Sequence, residues 1–293
     1  MSEKIPLAVT GTNGLVGSRF ITDFADRYDV LSLDRNNPIQ PVDITDSEVV
    51  EAVLRDSKAE FLVHFAAFTD VNAAWRQQGD KNGLAYQVNV AGTNNLVSAC
   101  EKFGKRLIHV STAYVFDGNS IDQYRETDTP HAIEWYGQTK LWAEEIIQSS
   151  TIPWTIFRID QPFASQPHQK LDIAHRLASG LQNNTLYPQF TNHYFGPTII
   201  EDFAKTIDWA IRTSATGLYH ASSGERWSDF QFAQAIKDQH LLSGEVKPGN
   251  LDEYLKTQPR PYQRNTALDC TKLHSQIDFT PQTVHQAISK LKF

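Results

Sequence analysis

Five short apolar runs, separated by helical patterns, constrain the fold of the first 160 residues more than any other feature. The runs cover residues 6–10, 30–33, 61–65, 106–110 and 154–159. They are continuous rather than alternating, as expected of parallel strands buried on both faces. The helical patterns between them cover residues 14–27, 46–57, 82–103 and 135–149. This order predicts an α/β fold with a doubly wound parallel Rossmann sheet and right-handed crossovers.

After residue 160 this rhythm stops, although capping patterns still mark helices. We predict a helix over residues 171–180, and two later helices that start at the capping box Ser228–Gln231 and at Pro281 in the first helical position. A capping-box pattern at Thr45–Glu48 likewise opens the second helix of the first half. The predicted domains are a dinucleotide-binding Rossmann domain, 1–160, to which 196–221 returns, and a smaller α/β substrate-binding region, 161–195 and 222–293.

The composition excludes several classes of protein. The net charge of −7 argues against nucleic-acid or membrane contact, and no apolar run reaches the roughly 18 residues of a membrane span. The two cysteines form no CxxC pair, and the ten histidines lack HxH or HExxH spacing, so we predict no metal site. His64 and His109 are interpreted as core histidines. Without a signal-peptide pattern in the first eleven residues, we expect a cytoplasmic protein.

A glycine-rich segment lies between the first predicted strand and the first predicted helix. Gly11, Gly14 and Gly17 are spaced as G-x-x-G-x-x-G, which permits a sharp turn, close approach to a pyrophosphate and close helix–sheet packing. The helix N-terminus would present free N–H groups to the phosphates. The predicted dinucleotide-binding loop therefore comprises Gly11, Thr12, Asn13, Gly14, Leu15, Val16 and Gly17. The alternative is an ordinary strand-to-helix turn.

Two charged residues at the end of the second strand leave the cofactor open between NAD and NADP. Asp34 is placed to bind the adenosine ribose hydroxyls, which favours NAD. Its neighbour Arg35 could instead pair with the 2′-phosphate of NADP. An exposed Asp-Arg pair without a ligand is the other interpretation.

A tyrosine and a lysine four residues apart, Tyr136 and Lys140, share one face of a predicted helix. A free phenol has a pKa near 10, and a nearby cation stabilises the phenolate and brings that pKa toward neutrality. The fourth strand runs into the hydroxyl residues Ser111 and Thr112, which would face the same crevice. Together these residues predict an acid–base site, whereas an exposed Tyr–Lys pair is the alternative.

Motifs along nearly the whole chain resemble the dTDP-4-dehydrorhamnose reductase branch of the extended short-chain dehydrogenase/reductases. They are TGTNGLVG, HFAAFTDV, NVAGTNNL, STAYVFDG, YGQTK, FGPT, GLYHASSGERWSDFQFA and RPYQRNTALDCTKL. The resemblance implies an NAD(P)H-dependent reductase of a nucleotide-linked 4-keto-6-deoxy sugar. It also implies that Tyr136 is the general acid, that Lys140 holds the nicotinamide ribose and that Thr112 orients the carbonyl.

The resemblance extends to other positions, each of which also has a structural interpretation. It implies cofactor contacts at Asp43, Ile44, Ala66, Ala67 and Asn89. It implies substrate contacts at Thr69, Val71, Ser111, Thr112, Ala113, Gln161, Arg260 and Asn265. Without the family, Asp43 could cap a helix, Ala66 and Ala67 could fill the core, Asn89 could be a satisfied helix residue and Arg260 a surface charge.

Two residues depart from the family pattern on the substrate side. The aspartate that usually follows the catalytic threonine is Ala113, and the Arg-x-x-Trp stretch after the fifth strand ends in Gln161. The alternatives are therefore a nucleotide-sugar epimerase or dehydratase, and a non-catalytic dinucleotide-binding regulatory subunit. The predicted partner is a nucleotide-sugar substrate, and a homodimer is allowed.

Overall fold

The computed structural model describes residues 3–293 and centres on a parallel sheet. The strands are β1 (Ile5–Thr10), β2 (Tyr28–Ser32), β3 (Phe61–His64), β4 (Arg106–Thr112), β5 (Trp154–Ile159), β6 (Pro162–Phe163), β7 (Gln189–Phe190), β8 (Tyr194–Phe195), β9 (Thr198–Ile199), β10 (Gly217–His220), β11 (Trp227–Ser228) and β12 (Pro248–Gly249). Six of them form the main sheet, in the order β10-β5-β4-β3-β1-β2. The predicted fold class, a doubly wound Rossmann sheet, is confirmed.

Helices lie on both faces of this sheet and in the tail. They are α1 (Leu15–Asp23), α2 (Ser47–Asp56), α3 (Val71–Trp75), α4 (Leu84–Tyr86), α5 (Thr93–Phe103), α6 (Trp135–Gln148), α7 (Ile173–Gln182), α8 (Ile200–Thr213), α9 (Asp229–His240), α10 (Leu251–Leu255), α11 (Thr271–His274) and α12 (Val284–Ile288). A π-helical turn, Gln87–Gly92, joins α4 to α5, so the helix predicted over 82–103 is interrupted. Among residues 3–293, no helix has the length and apolarity needed to cross a bilayer.

The five predicted strands match β1 to β5 to within two residues, but the sixth strand was not predicted. β10 is only four residues long and half of it is partly exposed, so its apolar signal is weak. It pairs in parallel with β5, with Leu218 opposite Ile156. Together with α8, which packs against α1, this strand brings the segment 196–221 onto the main sheet.

Three predicted helix starts have different outcomes. The capping box at Ser228 is confirmed, with Gln231 completing it. At α2 the cap is Asp46 rather than Thr45, because the Asp46 carboxylate accepts the amides of Glu48 and Val49. The prediction that a helix starts at Pro281 is wrong. The helix α12 begins three residues later, where Thr283 and Gln286 cap each other's backbone.

The apolar core has two layers because side chains of each strand alternate between the faces of the sheet. In β1, Leu7 and Val9 pack under α1 and α8, whereas Ala8 faces α2 and α5. A separate cluster that includes Phe163, Phe195 and Phe232 joins α7, α9 and α12. The cluster around Phe163, Phe195 and Phe232 is the core of a smaller unit beside the carboxyl edge of the main sheet.

Candidate active site

A cavity of about 1190 Å³ opens at the carboxyl edge of the sheet, between the glycine loop and the smaller unit. Single-ligand pockets are commonly about 300–1,000 Å³, so this cavity has room for a dinucleotide and a second ligand. The predicted residues that line it are Gly11, Gly14, Leu15, Val16, Gly17, Ala66, Ala67, Thr69, Val71, Ser111, Thr112, Tyr136, Lys140, Gln161 and Arg260. The predicted residues outside its lining are Thr12, Asn13, Asp34, Arg35, Asp43, Ile44, Asn89, Ala113 and Asn265.

The glycine loop, residues 11–17, is too tightly packed for side chains at two positions. Gly11 has a φ of +72°, and a Cβ there would lie 2.6 Å from the backbone nitrogen of Ala66. A Cβ on Gly17 would overlap the carbonyl oxygen of Gly11. Among the described residues no side chain caps the first turn of α1, so its amide groups stay free for an anion. The loop therefore fits the pyrophosphate of a dinucleotide.

Asp34 binds the glycine loop itself. Its carboxylate accepts the amide of Gly11 at 2.6 Å and the amide of Thr12 at 2.8 Å, and it also accepts the hydroxyl groups of Thr12 and Ser32. Arg35 beside it is exposed. These contacts fix the end of β2 to the loop. The predicted ribose contact of Asp34 and phosphate contact of Arg35 stay predictions.

The two residues predicted on the adenine side have their own contacts within the fold. Asp43 accepts the amide of Thr45 at 3.0 Å and its hydroxyl at 2.8 Å. The amide hydrogen bond is the main reason that the pKa of Asp43 is lowered. Ile44 is buried against Gly92, and its carbonyl accepts the side chain of Asn95. Neither residue lines the cavity described above, so their predicted contacts with the cofactor stay predictions.

Asn89 braces the turn that carries the predicted cofactor contacts Ala66 and Ala67. It lies in the π-helical turn, an irregularity common at functional sites, and is almost completely buried. Its Oδ1 accepts the amide of Phe68 at 2.8 Å, and its Nδ2 donates to the Phe68 carbonyl and to the Thr139 hydroxyl. Asn89 thus ties this turn to α6, the helix that carries the tyrosine and lysine.

Tyr136 starts its helix in a fixed position because Glu134 caps α6. The Glu134 carboxylate accepts the amides of Tyr136 at 2.8 Å and Gly137 at 2.6 Å. Burial raises the pKa of Tyr136, and the nearby hydroxyl of Thr112 partly offsets this rise in pKa. The structure therefore holds a protonated phenol beside the threonine that was predicted to orient the substrate.

Lys140 lies one helical turn from Tyr136 and is almost fully buried. Its ammonium donates to the carbonyl of Val110 at 2.8 Å and contacts Nε2 of His109 at 3.0 Å. Burial lowers the pKa of Lys140 to about 7, although the charge of Glu144 opposes this shift. The lysine charge at neutral pH therefore depends on the polar groups around it.

The two strand histidines behind Lys140 form a buried polar row. The rings of His109 and His64 have centroids 5.0 Å apart. His64 bonds the hydroxyl groups of Thr10 at 2.7 Å and Thr93 at 3.1 Å. Burial, followed by the charge of Lys140, lowers the pKa of His64 to about 3 and that of His109 well below its usual value. His64 is a satisfied core residue, but His109 directly contacts Lys140.

Ser111 has a structural partner below the cavity. Its hydroxyl donates to Glu144 at 2.5 Å. The same carboxylate forms a buried ion pair with Arg158, at 2.6 and 2.9 Å. Because the Ser111 proton is used here, Thr112 is the hydroxyl donor left for a substrate carbonyl.

The residues predicted to contact substrate in the tail lie in different surroundings. Arg260 lines the cavity, where its Nε donates to Asn72 at 3.0 Å and its guanidinium stacks over Tyr262. Gln161 also lines the cavity and has a φ of +37°. Asn265 is buried away from it, and its amide donates to the carbonyls of Ser120 and Asp122. The structure gives Asn265 the role of holding that loop.

Sequence reasoning missed several residues of the cavity wall. They include Tyr114, Asp160, His193, Asp229 and Tyr262. Asp160 could have been found, because it directly follows β5 at the edge where parallel sheets bind ligands. Tyr114, Asp229 and Tyr262 lie within the motifs quoted above but were not assigned a role there, and His193 lies just before the FGPT motif. Among residues 3–293, no group of His, Cys, Asp and Glu side chains is arranged to hold a metal ion.

The fold and this site define the class of protein. A glycine loop after β1, and a threonine, tyrosine and lysine at the same edge of a Rossmann sheet, are the features of an extended short-chain dehydrogenase/reductase, whose cofactor is NAD or NADP.

Comparison with known proteins narrows the class to a family. Residues 5–292 match the RmlD substrate binding domain family, so the chain belongs to that family. It is 27% identical to a dTDP-4-dehydrorhamnose reductase from Aggregatibacter actinomycetemcomitans over 98% of both chains. It is 29% identical to methionine adenosyltransferase 2 subunit beta from Xenopus laevis, over 90% of this chain and 80% of that one.

Solved structures agree with the fold. A dTDP-4-dehydrorhamnose reductase from Bacillus anthracis, crystallised in complex with NADP, superposes with a TM-score of 0.88 over 99% of both chains at 22% identity. At that identity the likeness shows the fold. The match of residues 5–292 to the RmlD family confirms the predicted family, the dTDP-4-dehydrorhamnose reductase-like branch of the extended short-chain dehydrogenase/reductases.

Proposed function

We propose that the protein is an NAD(P)H-dependent reductase of a nucleotide-linked 4-keto-6-deoxy sugar, as the named activity of its bacterial relatives suggests. The observation that carries the proposal is the position of Tyr136, whose half-buried phenol lines, together with Thr112, the cavity that begins at the glycine loop. A carbonyl oxygen placed between these two hydroxyl groups would lie within reach of a proton donor.

The side chains of this chain have separate roles in the proposed reaction. The bound nicotinamide supplies a hydride to the carbonyl carbon. Tyr136 donates its proton to the carbonyl oxygen, and Thr112 orients that oxygen by a hydrogen bond. Lys140, fixed by Val110 and His109, supplies positive charge that stabilises the phenolate left behind.

The protonation states suit reduction rather than oxidation. Burial raises the pKa of Tyr136, so the phenol keeps its proton at neutral pH and can act as an acid. Burial lowers the pKa of Lys140 to about 7, so its charge is lost as the pH rises above neutrality. The reductase is therefore expected to be more active on the acidic side of neutrality than on the alkaline side.

The proposal is tested by following the absorbance of NADPH and of NADH near 340 nm with dTDP-4-keto-6-deoxyglucose and with dTDP-4-dehydrorhamnose. Oxidation that depends on the sugar, together with transfer of deuterium from the labelled cofactor to carbon 4, is expected. A protein that binds the dinucleotide but oxidises it with neither sugar would contradict the proposal.

A second candidate is a dinucleotide-binding regulatory subunit, because the chain also matches a methionine adenosyltransferase subunit over most of its length. The departures Ala113 and Gln161 lie on the substrate side, as such a role would allow. Purification with a stoichiometric catalytic partner, and no turnover of any nucleotide sugar, would support it. The homodimer and the cytoplasmic location stay predictions, to be checked by light scattering and by fractionation.

A further inference from the structure

The residue that follows β5 carries a carboxyl group, whereas the residue that follows the neighbouring strand β4 does not. In the parallel pair β4–β5, Thr112 lies opposite Ile159, so residue 113 and residue 160 follow at the same level of the sheet. The residue after Thr112 is the fully buried Ala113. Asp160 supplies a carboxyl group at the neighbouring position, where it lines the cavity.

Asp160 has one oxygen that the protein does not use. Its Oδ2 accepts the amide of Gly196 at 2.9 Å and the hydroxyl of Thr266 at 2.7 Å. Its Oδ1 has no hydrogen-bond partner among the described residues, although the side chain is about 98% buried. A buried polar atom without a partner is unfavourable, so a ligand that donates a hydrogen bond here gains affinity.

A histidine–aspartate pair lies beside this carboxyl group. Nδ1 of His193 is 2.6 Å from Oδ2 of Asp229, and both residues line the same cavity. Among the described residues, the hydrogen bonds of His193 are confined to Nδ1, which leaves Nε2 for a ligand.

A second histidine–aspartate pair in the same unit also reaches the cavity, through Asp172, but its polar atoms are satisfied by the protein. Asp172 accepts from His175 at 2.9 Å and caps α7 through the His175 amide. Its other oxygen accepts the amide of Ala164, and Nε2 of His175 contacts the carbonyl of Lys292. Every polar atom of this pair has a protein partner, in contrast to Asp160 and His193.

The charges of this cluster suit a neutral polar ligand. Burial raises the pKa of Asp160 to about 7, with His193 opposing the shift and Asp229 adding to it. The groups that face Asp160 from other elements are His193, Asp229, Tyr114 and Tyr136. Two carboxyl groups repel a phosphate, whereas a hydroxyl can donate to Oδ1 of Asp160, and Nε2 of His193 can accept from a hydroxyl when Nδ1 donates to Asp229.

We propose that Asp160 and the His193–Asp229 pair form a sugar-hydroxyl subsite, which binds the ring hydroxyl next to the carbon that is reduced. This inference rests on the proposed function and identifies the hydroxyl group of the sugar that the protein recognises. The subsite lies in the same cavity as the phenol of Tyr136 and the hydroxyl of Thr112, since all of these residues line it.

The test measures binding to the NADP complex by calorimetry, so that it does not depend on turnover. The probes are dTDP-rhamnose and its 3-deoxy analogue, which lacks the hydroxyl next to carbon 4. The unaltered protein should bind the hydroxylated probe about 10-fold or more tightly, as expected for one hydrogen bond to a charged group. Asp160→Ala and His193→Phe should reduce this ratio toward one, whereas the control Asp172→Asn should keep it.

Asp160→Asn gives a second readout, the pH dependence of probe affinity. This readout should not change if Asp160 only supports the fold. Its amide oxygen still accepts from Gly196 and Thr266, but the side chain no longer titrates. In the unaltered protein the affinity for dTDP-rhamnose should fall as the pH drops through about 7, and in Asp160→Asn it should not. The subsite is disproved if Asp160→Ala still binds dTDP-rhamnose more tightly than the 3-deoxy analogue by the same ratio. It is also disproved if the affinity of Asp160→Asn for dTDP-rhamnose still depends on pH. Probe binding without NADPH oxidation would refute only the reductase.

Discussion

The two ends of the cavity are built differently. At the cofactor end, the glycine loop offers backbone amides and leaves no room for a side chain at Gly11, where a Cβ would lie 2.6 Å from the backbone nitrogen of Ala66. At the substrate end, side chains from distant parts of the chain meet, including Asp160, His193 and Arg260. A backbone site tolerates little change in residue size, whereas a side-chain site can exchange one residue for another. Substitutions at the two ends should therefore fail in different ways.

The largest effect is expected from Tyr136→Phe, which acts where the two ends meet. Removing the phenolic proton should lower turnover by about 10²–10⁴-fold, the usual contribution of a general acid. Binding of NADPH, followed by fluorescence, should be unchanged. Tyr187→Phe is a matched control, because Tyr187 borders the cavity but is largely exposed. Turnover of Tyr136→Phe close to that of the control would eliminate Tyr136 as the acid.

Gly17→Ala tests the backbone end. The new Cβ would overlap the carbonyl oxygen of Gly11, so the loop must shift, at a cost of about 1–3 kcal/mol in stability. Calorimetry should show dinucleotide affinity reduced by at least about 10-fold, which corresponds to 1.4 kcal/mol.

Gly104→Ala separates this effect from a general loss of stability. Gly104 also has a positive φ, of +64°, but a Cβ there meets no atom within 4 Å. Its replacement should cost about 1–2 kcal/mol of backbone strain without changing dinucleotide affinity. Equal loss of affinity in both variants would mean that loop geometry is not what holds the cofactor.

His109→Leu tests the polar row behind Lys140. Loss of the imidazole acceptor removes a hydrogen bond from a buried ammonium, so the pKa of Lys140 should fall further below the value of about 7. The alkaline limb of the kcat profile should move to lower pH by about one unit, since such a bond contributes about 1.5–3 kcal/mol. His131→Leu, at an exposed position, is the control. An unmoved limb would show that His109 does not support the lysine charge.

Arg35→Ala addresses the cofactor preference and should have a smaller effect. The guanidinium is exposed, and an exposed ion pair contributes about 0.2–1 kcal/mol. If Arg35 binds the 2′-phosphate, the ratio of kcat/KM for NADPH to that for NADH should fall by a few-fold. Arg55→Ala is a control at another exposed arginine. A ratio that does not change would leave Asp34 as the residue that decides the preference.

The same contrast explains how much the sequence could predict. The glycine spacing, the buried strands and the four-residue spacing of Tyr136 and Lys140 are local patterns, and the structure contains each of them. His193 and Asp229 are 36 residues apart and meet only through the antiparallel pair β8–β11, in which Ser228 lies opposite Tyr194. No periodic pattern in the sequence predicts this contact between His193 and Asp229.

Local patterns also misled where tertiary contacts decide the outcome. Pro281 fits a helix start, but the amide of Gln282 is bonded to Asp202, and the helix starts only at the cap formed by Thr283. Asn265 belongs to a motif shared with relatives, yet its amide serves the loop around Ser120. The sequence patterns located Pro281 near a helix start and Asn265 in a family motif, but they did not predict the contacts that these residues make.

The smallest predicted effect concerns how stability depends on pH. Replacing His175 and replacing His64 should change the free energy of unfolding with opposite pH trends. At His175 burial opposes the charge, but the hydrogen bond and charge of Asp172 outweigh it and raise the pKa. A raised pKa stabilises the fold below the unfolded value of about 6.5, and this contribution is lost as the pH rises through the folded pKa. Urea unfolding should therefore show that His175→Gln lowers the free energy of unfolding more at pH 5 than at pH 8, by less than about 1 kcal/mol.

His64→Gln should show the reverse trend, because burial lowers the pKa of His64 to about 3. The neutral ring of His64 therefore stabilises the fold only above the pKa of the unfolded state. The same sign for both variants would contradict the assigned environments.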